Sequence, residues 1–204
     1  MKKLILIFAG MIGIAQAQNV KSMTNESLEK ITLGGGCYWC IEAVFQMLNG
    51  VVKVESGFSG GQTKNPSYKD VCTGTTGHAE VVQITFDNTK TSVEEILKVF
   101  FTVHDPTTLN RQGADVGTQY RSVIFYHNNQ QLETIKAVLA ELNGMEIFDN
   151  KIVTEVSPAP KFFAAPDYHQ NYYNNNKNQS YCAFVIKPKL DKLKKYFASK
   201  LKDN

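Results

Sequence analysis

Cys37 directly follows Gly34, Gly35 and Gly36 and stands where Ile41, Val44, Phe45 and Leu48, spaced i, i+3, i+4 and i+7, mark the start of a helix. A sulfur at that place meets unpaired backbone N–H groups and the positive end of the helix dipole, which favour the thiolate. A free thiol has a pKa of about 8.5, and such a setting lowers it into the nucleophilic range. Glycines ahead of it leave room for a ligand to come close to the backbone. Cys40 completes a Cys-x-x-Cys, faces roughly the same side of the helix and can close a bridge. Tyr38 and Trp39, the only tryptophan in the chain, fall in the first turn and outside the buried stripe, where they can wall an apolar pocket beside the sulfur.

Cys72 and Cys182 bring the cysteines to four. Two structural bridges would allow three pairings, but a chain of 204 residues builds its own core without staples. A zinc site needs a second Cys-x-x-Cys, which is missing, so no metal is expected, and thiol chemistry requires no organic cofactor.

The elements that must position these residues follow from periodicity. Strands are expected at 30–33, 51–55, 81–86, 122–126, 152–156 and 181–186. Helices are expected from Cys37 to near Gly50, from the Ser92 cap with Glu95 completing a capping box, from Leu132 to Gly144, and over a lysine-rich tail at 190–202. The order β-α-β-β-α-β, then α, β and α, predicts an α+β two-layer sandwich whose mixed sheet has a ferredoxin-like split βαβ core. Residues 57–77, rich in Gly, Ser, Thr and Asn, are too long for a simple turn and read as a functional or disordered loop. The lysines at 187, 189, 192, 194, 195, 200 and 202 read as the solvated face of a helix.

The N-terminus has the form of a secretory signal. Lys2 and Lys3 precede an apolar run from Leu4 to Ala15, short of the roughly 20 residues a membrane span needs, and Ala15-Gln16-Ala17 is a small-x-small cleavage site. Cleavage after Ala17 predicts a periplasmic or secreted protein with a flexible leader at 18–29, one catalytic domain at 30–204 and no stable membrane insertion. Without Lys2 and Lys3 the formal charge falls from +3 to +1, too near neutral for a nucleic-acid binder. A monomer is expected.

The segment Gly36-Cys37-Tyr38-Trp39-Cys40, with Glu42 and Phe45, resembles the signature of the A-type peptide methionine sulfoxide reductases. Further blocks match in the same order: 57–61, Asn65-Pro66-Ser67-Tyr68, 74–80, His104-Asp105-Pro106, 117–122 and Tyr168-His169-Gln170. The resemblance covers about residues 30 to 188. It implies that Cys37 is the nucleophile, that Glu80 protonates the sulfoxide oxygen, and that Tyr68 and Tyr120 donate to that oxygen. It further implies that Asp115 supports the site and that Tyr38 and Trp39 hold the substrate methyl group, with Tyr38 standing where phenylalanine is commoner. Cys182 matches a C-terminal resolving cysteine and is favoured over Cys40. Cys72 occupies a position without a required role. Thioredoxin or a thioredoxin-like protein is the implied reductant.

The chemistry makes sense of these residue types. A sulfoxide sulfur is electrophilic and its oxygen partly negative, so reduction needs a thiolate aimed at sulfur and protons delivered to oxygen. Phenols can stabilise the growing charge, and a carboxyl in an aromatic pocket stays protonated. The product on Cys37 is a sulfenic acid, which a second thiol reduces. His78 and His169 read as hydrogen-bonded scaffold. A thioredoxin-like thiol-disulfide oxidoreductase using Cys37 and Cys40, and a secreted binding module with two disulfides, are the competing readings.

Overall fold

The computed structural model describes residues 27–203; the expected signal segment and most of the expected leader lie outside the described residues. Strand β1 (Leu28–Gly35) leads into helix α1 (Tyr38–Gln46) and strand β2 (Val51–Ser59). The short helix α2 (Tyr68–Cys72) precedes β3 (Ala79–Asp87) and α3 (Val93–Val103). A two-stranded hairpin, β4 (Arg111–Gln112) with β5 (Asp115–Val116), is followed by β6 (Ser122–Tyr126) and α4 (Asn129–Gly144). The chain ends with β7 (Glu155–Pro158), β8 (Phe163–Ala164), α5 (Tyr172–Asn175) and α6 (Lys187–Phe197).

The main sheet has the order β7-β6-β1-β3-β2-β8. β3 lies antiparallel between β1 and β2, which therefore run parallel to each other across it, and β6 pairs antiparallel with β1. This is the expected split βαβ core. β7 joins parallel to β6, so the sheet is mixed.

Strand alternation decides which residues meet the helices. Val82, Ile84 and Phe86 of β3 and Ile31 and Leu33 of β1 share one core cluster with Ile41, Val44 and Phe45 of α1 and Ile96, Leu97 and Phe100 of α3. Val81 and Ala79 alternate to the other face with Val123 and Phe125, covered by Ala159 and Phe162. Glu80 shares the parity of Val82 and Ile84, so it points to the helix side beside the start of α1. That helix has no side-chain cap. Packing holds it: each fully buried Ile, Val or Phe contributes about 1.5–3 kcal/mol, against roughly 1 kcal/mol for a missing cap.

Several expectations are corrected. β1 starts at Leu28, inside the expected leader, and β2 runs on to Ser59. The long loop contains α2, started by a full capping box between Ser67 and Asp70. At α3, Ser92 accepts from the Glu95 N–H, but the Glu95 carboxylate turns to Thr91 and Lys200, so that box is half made. The expected strand at 152–156 begins at Glu155. The expected strand at 181–186 is a π-helical turn, Cys182–Ile186, that runs directly into α6. Its buried residues, Cys182, Ile186, Leu190 and Leu193, follow helical spacing, which overrides the β-branched and aromatic composition. Lys189 is half-buried and donates to the Val103 carbonyl at 2.7 Å, so it leaves the solvated face.

No helix among the described residues is long and apolar enough to cross a membrane.

Candidate active site

The first turn of α1 distributes its free backbone donors among the reacting groups. Tyr38 N–H donates to Glu80 Oε2 at 3.1 Å, the Trp39 N–H is directed at the Cys37 sulfur, and Cys40 N–H donates to the Cys37 carbonyl at 3.1 Å. Gly36 adopts φ +94, and the glycines before it make room for protein, not ligand. A Cβ on Gly34 would meet the Glu80 carbonyl at 2.7 Å, and one on Gly35 would meet the Phe100 ring at 2.9 Å. The turn is thus pressed against β3 and α3, and Cys37 is only 8% exposed.

This burial corrects the expectation of an ionised Cys37. Desolvation raises its thiol well above the ordinary range, helped by the Cys40 hydrogen bond and the Glu80 charge and opposed by the Trp39 N–H. Without substrate the sulfur holds its proton. Glu80 is 2% exposed and its carboxyl is pushed up to about 8, chiefly by burial, against the stabilising Tyr38 N–H. The acid form therefore dominates at neutral pH.

Tyr68 and Tyr120 are half-buried, within electrostatic reach of Glu80, and desolvation raises both phenols so that they keep their protons. Tyr68 is the first residue of α2, fixed by the Ser67–Asp70 box. Tyr120 ends a single 3-10 turn, and Thr118 Oγ1 donates to the Gly74 carbonyl at 2.8 Å, tying that turn to the loop after α2. The expected oxygen-facing residues are thus brought together from three elements.

Tyr38 is 1% exposed, and its hydroxyl pairs with His169 Nδ1 at 2.8 Å; its raised phenol donates and the imidazole, kept neutral by burial, accepts. Trp39 stacks on Tyr172 with centroids 3.7 Å apart, and the Tyr68 ring lies 4.4 Å from His169. His78 accepts from Gly61 N–H at 3.0 Å and donates from Nε2 to the Thr63 carbonyl at 2.8 Å. Both histidines are scaffold, as expected.

The other side of Cys37 is built from residues given no role in the sequence, apart from Cys40 and Asp115. Cys40 Sγ lies 3.7 Å from the Tyr181 hydroxyl, which donates to Asp115 Oδ2 at 2.8 Å. A cavity of about 100 Å³ beside them is lined by Cys37, Cys40, Asp115, Tyr181 and Lys189. Cys182 is fully buried and Cys72 is exposed; all four cysteines are free thiols. Sequence reasoning also missed Glu42, whose carboxylate accepts from Asn171 and Tyr172 N–H at 2.8 and 3.2 Å and so pins Tyr172 against Trp39. Its only signal was its place in the Cys37 block; that of Tyr181 was its position next to Cys182. Among the described residues no group of three or more His, Cys, Asp or Glu could hold a metal ion.

A shielded thiol with a proton donor on one flank and a second thiol on the other defines an oxidoreductase that works through sulfur. Residues 29–201 match the sequence model of the family described as Peptide methionine sulfoxide reductase, and the chain belongs to that family. Among its relatives, Peptide methionine sulfoxide reductase MsrA of Trichodesmium erythraeum is 55% identical over 170 residues, 83% of this chain and 96% of that protein. Reduced Mxr1 from Saccharomyces cerevisiae is similar in structure, with a TM-score of 0.72 at 35% identity over 78% of this chain and 91% of that one. Mxr1 in complex with Trx2 matches with a TM-score of 0.52 at 25% identity, covering 72% of this chain and 86% of that one. Family membership sets aside the thioredoxin-like and binding-module readings.

Proposed function

We propose that this oxidoreductase reduces the S epimer of methionine sulfoxide, free or within proteins, to methionine. Cys37 attacks the sulfoxide sulfur, Glu80 protonates the oxygen, and Tyr68 and Tyr120 hold it. The oxygen ends on Cys37 and the thiol proton replaces the one that Glu80 gave, so that a thiol and a sulfoxide give a sulfenic acid and a thioether with Glu80 again protonated. Tyr38 and Trp39 bound the methyl side of the pocket, and Asp115 supports the site. The observation that carries this reading is Glu80, 2% exposed and protonated to about pH 8, hydrogen-bonded to the first turn of the helix that starts after Cys37. A buried acid kept neutral at pH 7 is what an oxygen acceptor requires.

The Mxr1 complex with Trx2 supports a thioredoxin-type reductant. Export through the N-terminal segment would place the protein in the periplasm or outside the cell, where a membrane-relayed donor must supply electrons. N-terminal sequencing of protein recovered from that compartment, expected to begin at Gln18, tests export.

The activity is tested by mixing the reduced protein with each sulfoxide epimer separately, without added reductant. The S epimer is expected to release methionine in a single turnover and the R epimer none. No methionine from either epimer would overturn the proposal.

A further inference from the structure

We propose that Cys40, rather than Cys182, resolves the Cys37 sulfenic acid, and that Tyr181 and Asp115 carry away its proton. The inference rests on the preceding reading only in taking Cys37 to become a sulfenic acid.

The two cysteines lie on one helical turn and line the same cavity. Cys40 N–H bonds the Cys37 carbonyl at 3.1 Å, so the backbone holds the pair in the compact geometry that a Cys-x-x-Cys bridge uses. Cys40 then continues into a relay. Tyr181 gives its single proton to Asp115 at 2.8 Å, which leaves the phenol oxygen, 3.7 Å from Cys40 Sγ, free to accept from the thiol. The cavity of about 100 Å³ beside both sulfurs gives the departing water somewhere to go.

Lys189 in α6 and Asp115 in β5 line the cavity beside both sulfurs. The Cys40 thiol is held below its ordinary range by the neighbouring Cys37 thiol, the Lys189 ammonium and the Tyr181 hydroxyl, against its own burial and Asp115. Cys182 has no comparable equipment. It is fully buried, and desolvation raises its thiol.

The step balances. The Cys37 S–O bond breaks as the Cys37–Cys40 S–S bond forms. The Cys40 proton passes to Tyr181 while the Tyr181 proton passes to Asp115, and the leaving hydroxyl takes a proton from Glu80 and departs as water. Cys40 is oxidised and the Cys37 sulfur reduced; no further oxidant is needed.

The test is rapid mixing of the fully reduced protein with one equivalent of S-methionine sulfoxide, acid quenching, alkylation of remaining thiols and disulfide mapping. The first bridge is expected to be Cys37–Cys40, in the native protein and in Cys182→Ser alike. In Cys40→Ser, methionine release stays at one equivalent and the sulfenic acid persists, trapped by dimedone. Tyr181→Phe and Asp115→Asn should slow decay of the sulfenic acid by about a hundredfold, with the rate recovering as pH rises and the thiol ionises directly. A first bridge at Cys37–Cys182, or undiminished sulfenic acid decay in Cys40→Ser, would overturn the inference. Absence of methionine release in the native protein would instead count against the proposed function.

Discussion

Cys37 and Glu80 stand at the edge of the sheet core, on β1–α1 and β3, whereas the partners of Trp39, His169 and Tyr172, ride on a carboxy-terminal segment with little regular structure. That segment is held by polar clamps. Gln170 donates to the Ser56 and Ala165 carbonyls at 2.9 and 3.0 Å and accepts from Ser56 N–H at 2.9 Å, imitating one more residue of strand beyond β8. Glu42 holds Asn171 and Tyr172. Near the end, Lys202 N–H and the Lys200 carbonyl bond to Met47 and Asn49. The difference teaches a division of labour. Atoms that exchange protons and oxygen are fixed by apolar burial, which also sets their pKa values, while the walls that meet a variable substrate hang on a few removable hydrogen bonds.

The largest expected break in that comparison is at the buried side. Glu80→Gln removes the proton but keeps the shape, so single-turnover methionine release should fall by about 10²–10⁴. Stability should move the other way. A carboxyl raised from 4.5 to about 8 in the fold contributes stability that is fully present below about pH 4.5 and lost as pH rises through 8. The glutamine variant should therefore match the native protein near pH 4 and gain on it progressively to pH 9, by on the order of a few kcal/mol. Denaturant midpoints at the two pH values measure this; equal losses at both would mean that Glu80 is ionised in the fold. The same titration predicts that the native single-turnover rate declines above about pH 8.

On the clamped side the effect should appear in KM. Glu42→Ala leaves two backbone N–H groups without an acceptor, at a cost of about 1–3 kcal/mol each where they are buried. Tyr172 then loses its fixed position over Trp39. KM for a sulfoxide-containing peptide should rise about tenfold, while kcat changes little because Cys37 and Glu80 stay in place. A fall in kcat with KM unchanged would show that the segment positions the reacting groups as well. Gln170→Ala is expected to be milder, loosening the chain around β8. Its signature is faster amide exchange at Ser56 and Ala165, with exchange in β1 and β3 unchanged.

The two regions also differ in what the sequence discloses. Period-2 and helical patterns marked β1, α1, β3 and α3 because each buries one face, and the parity of Glu80 with Val82 and Ile84 follows from that pattern. The thiolate expectation failed at the same place. The helix N-terminus was readable at Cys37, but the desolvation that outweighs it depends on β3 and α3 closing over the turn. In the carboxy-terminal segment the signals are weaker. Tyr181, Phe184, Val185 and Ile186 look like a strand by composition, and only the Cys182, Ile186, Leu190, Leu193 spacing shows the helix. Glu42, Tyr181 and Lys189 gain their roles from partners 129, 66 and 86 residues away, a separation that no local pattern encodes.

Tyr38 joins the two regions, so its variant sharpens the comparison with the smallest expected effect. Its ring lies in the core with Phe58, 5.8 Å between centroids, while its hydroxyl reaches His169 at 2.8 Å. Tyr38→Phe keeps the apolar face and leaves His169 Nδ1 buried without a donor. The cost should be about 1 kcal/mol, or roughly 2–4 °C in Tm for a domain of this size. Because this hydrogen bond fixes His169 within the wall, with the hydroxyl turned away from substrate, kcat/KM should change by less than about threefold, below the roughly tenfold Glu42→Ala effect. A tenfold or larger loss, without the drop in Tm, would place the Tyr38 hydroxyl on the substrate and make this residue part of the reacting side.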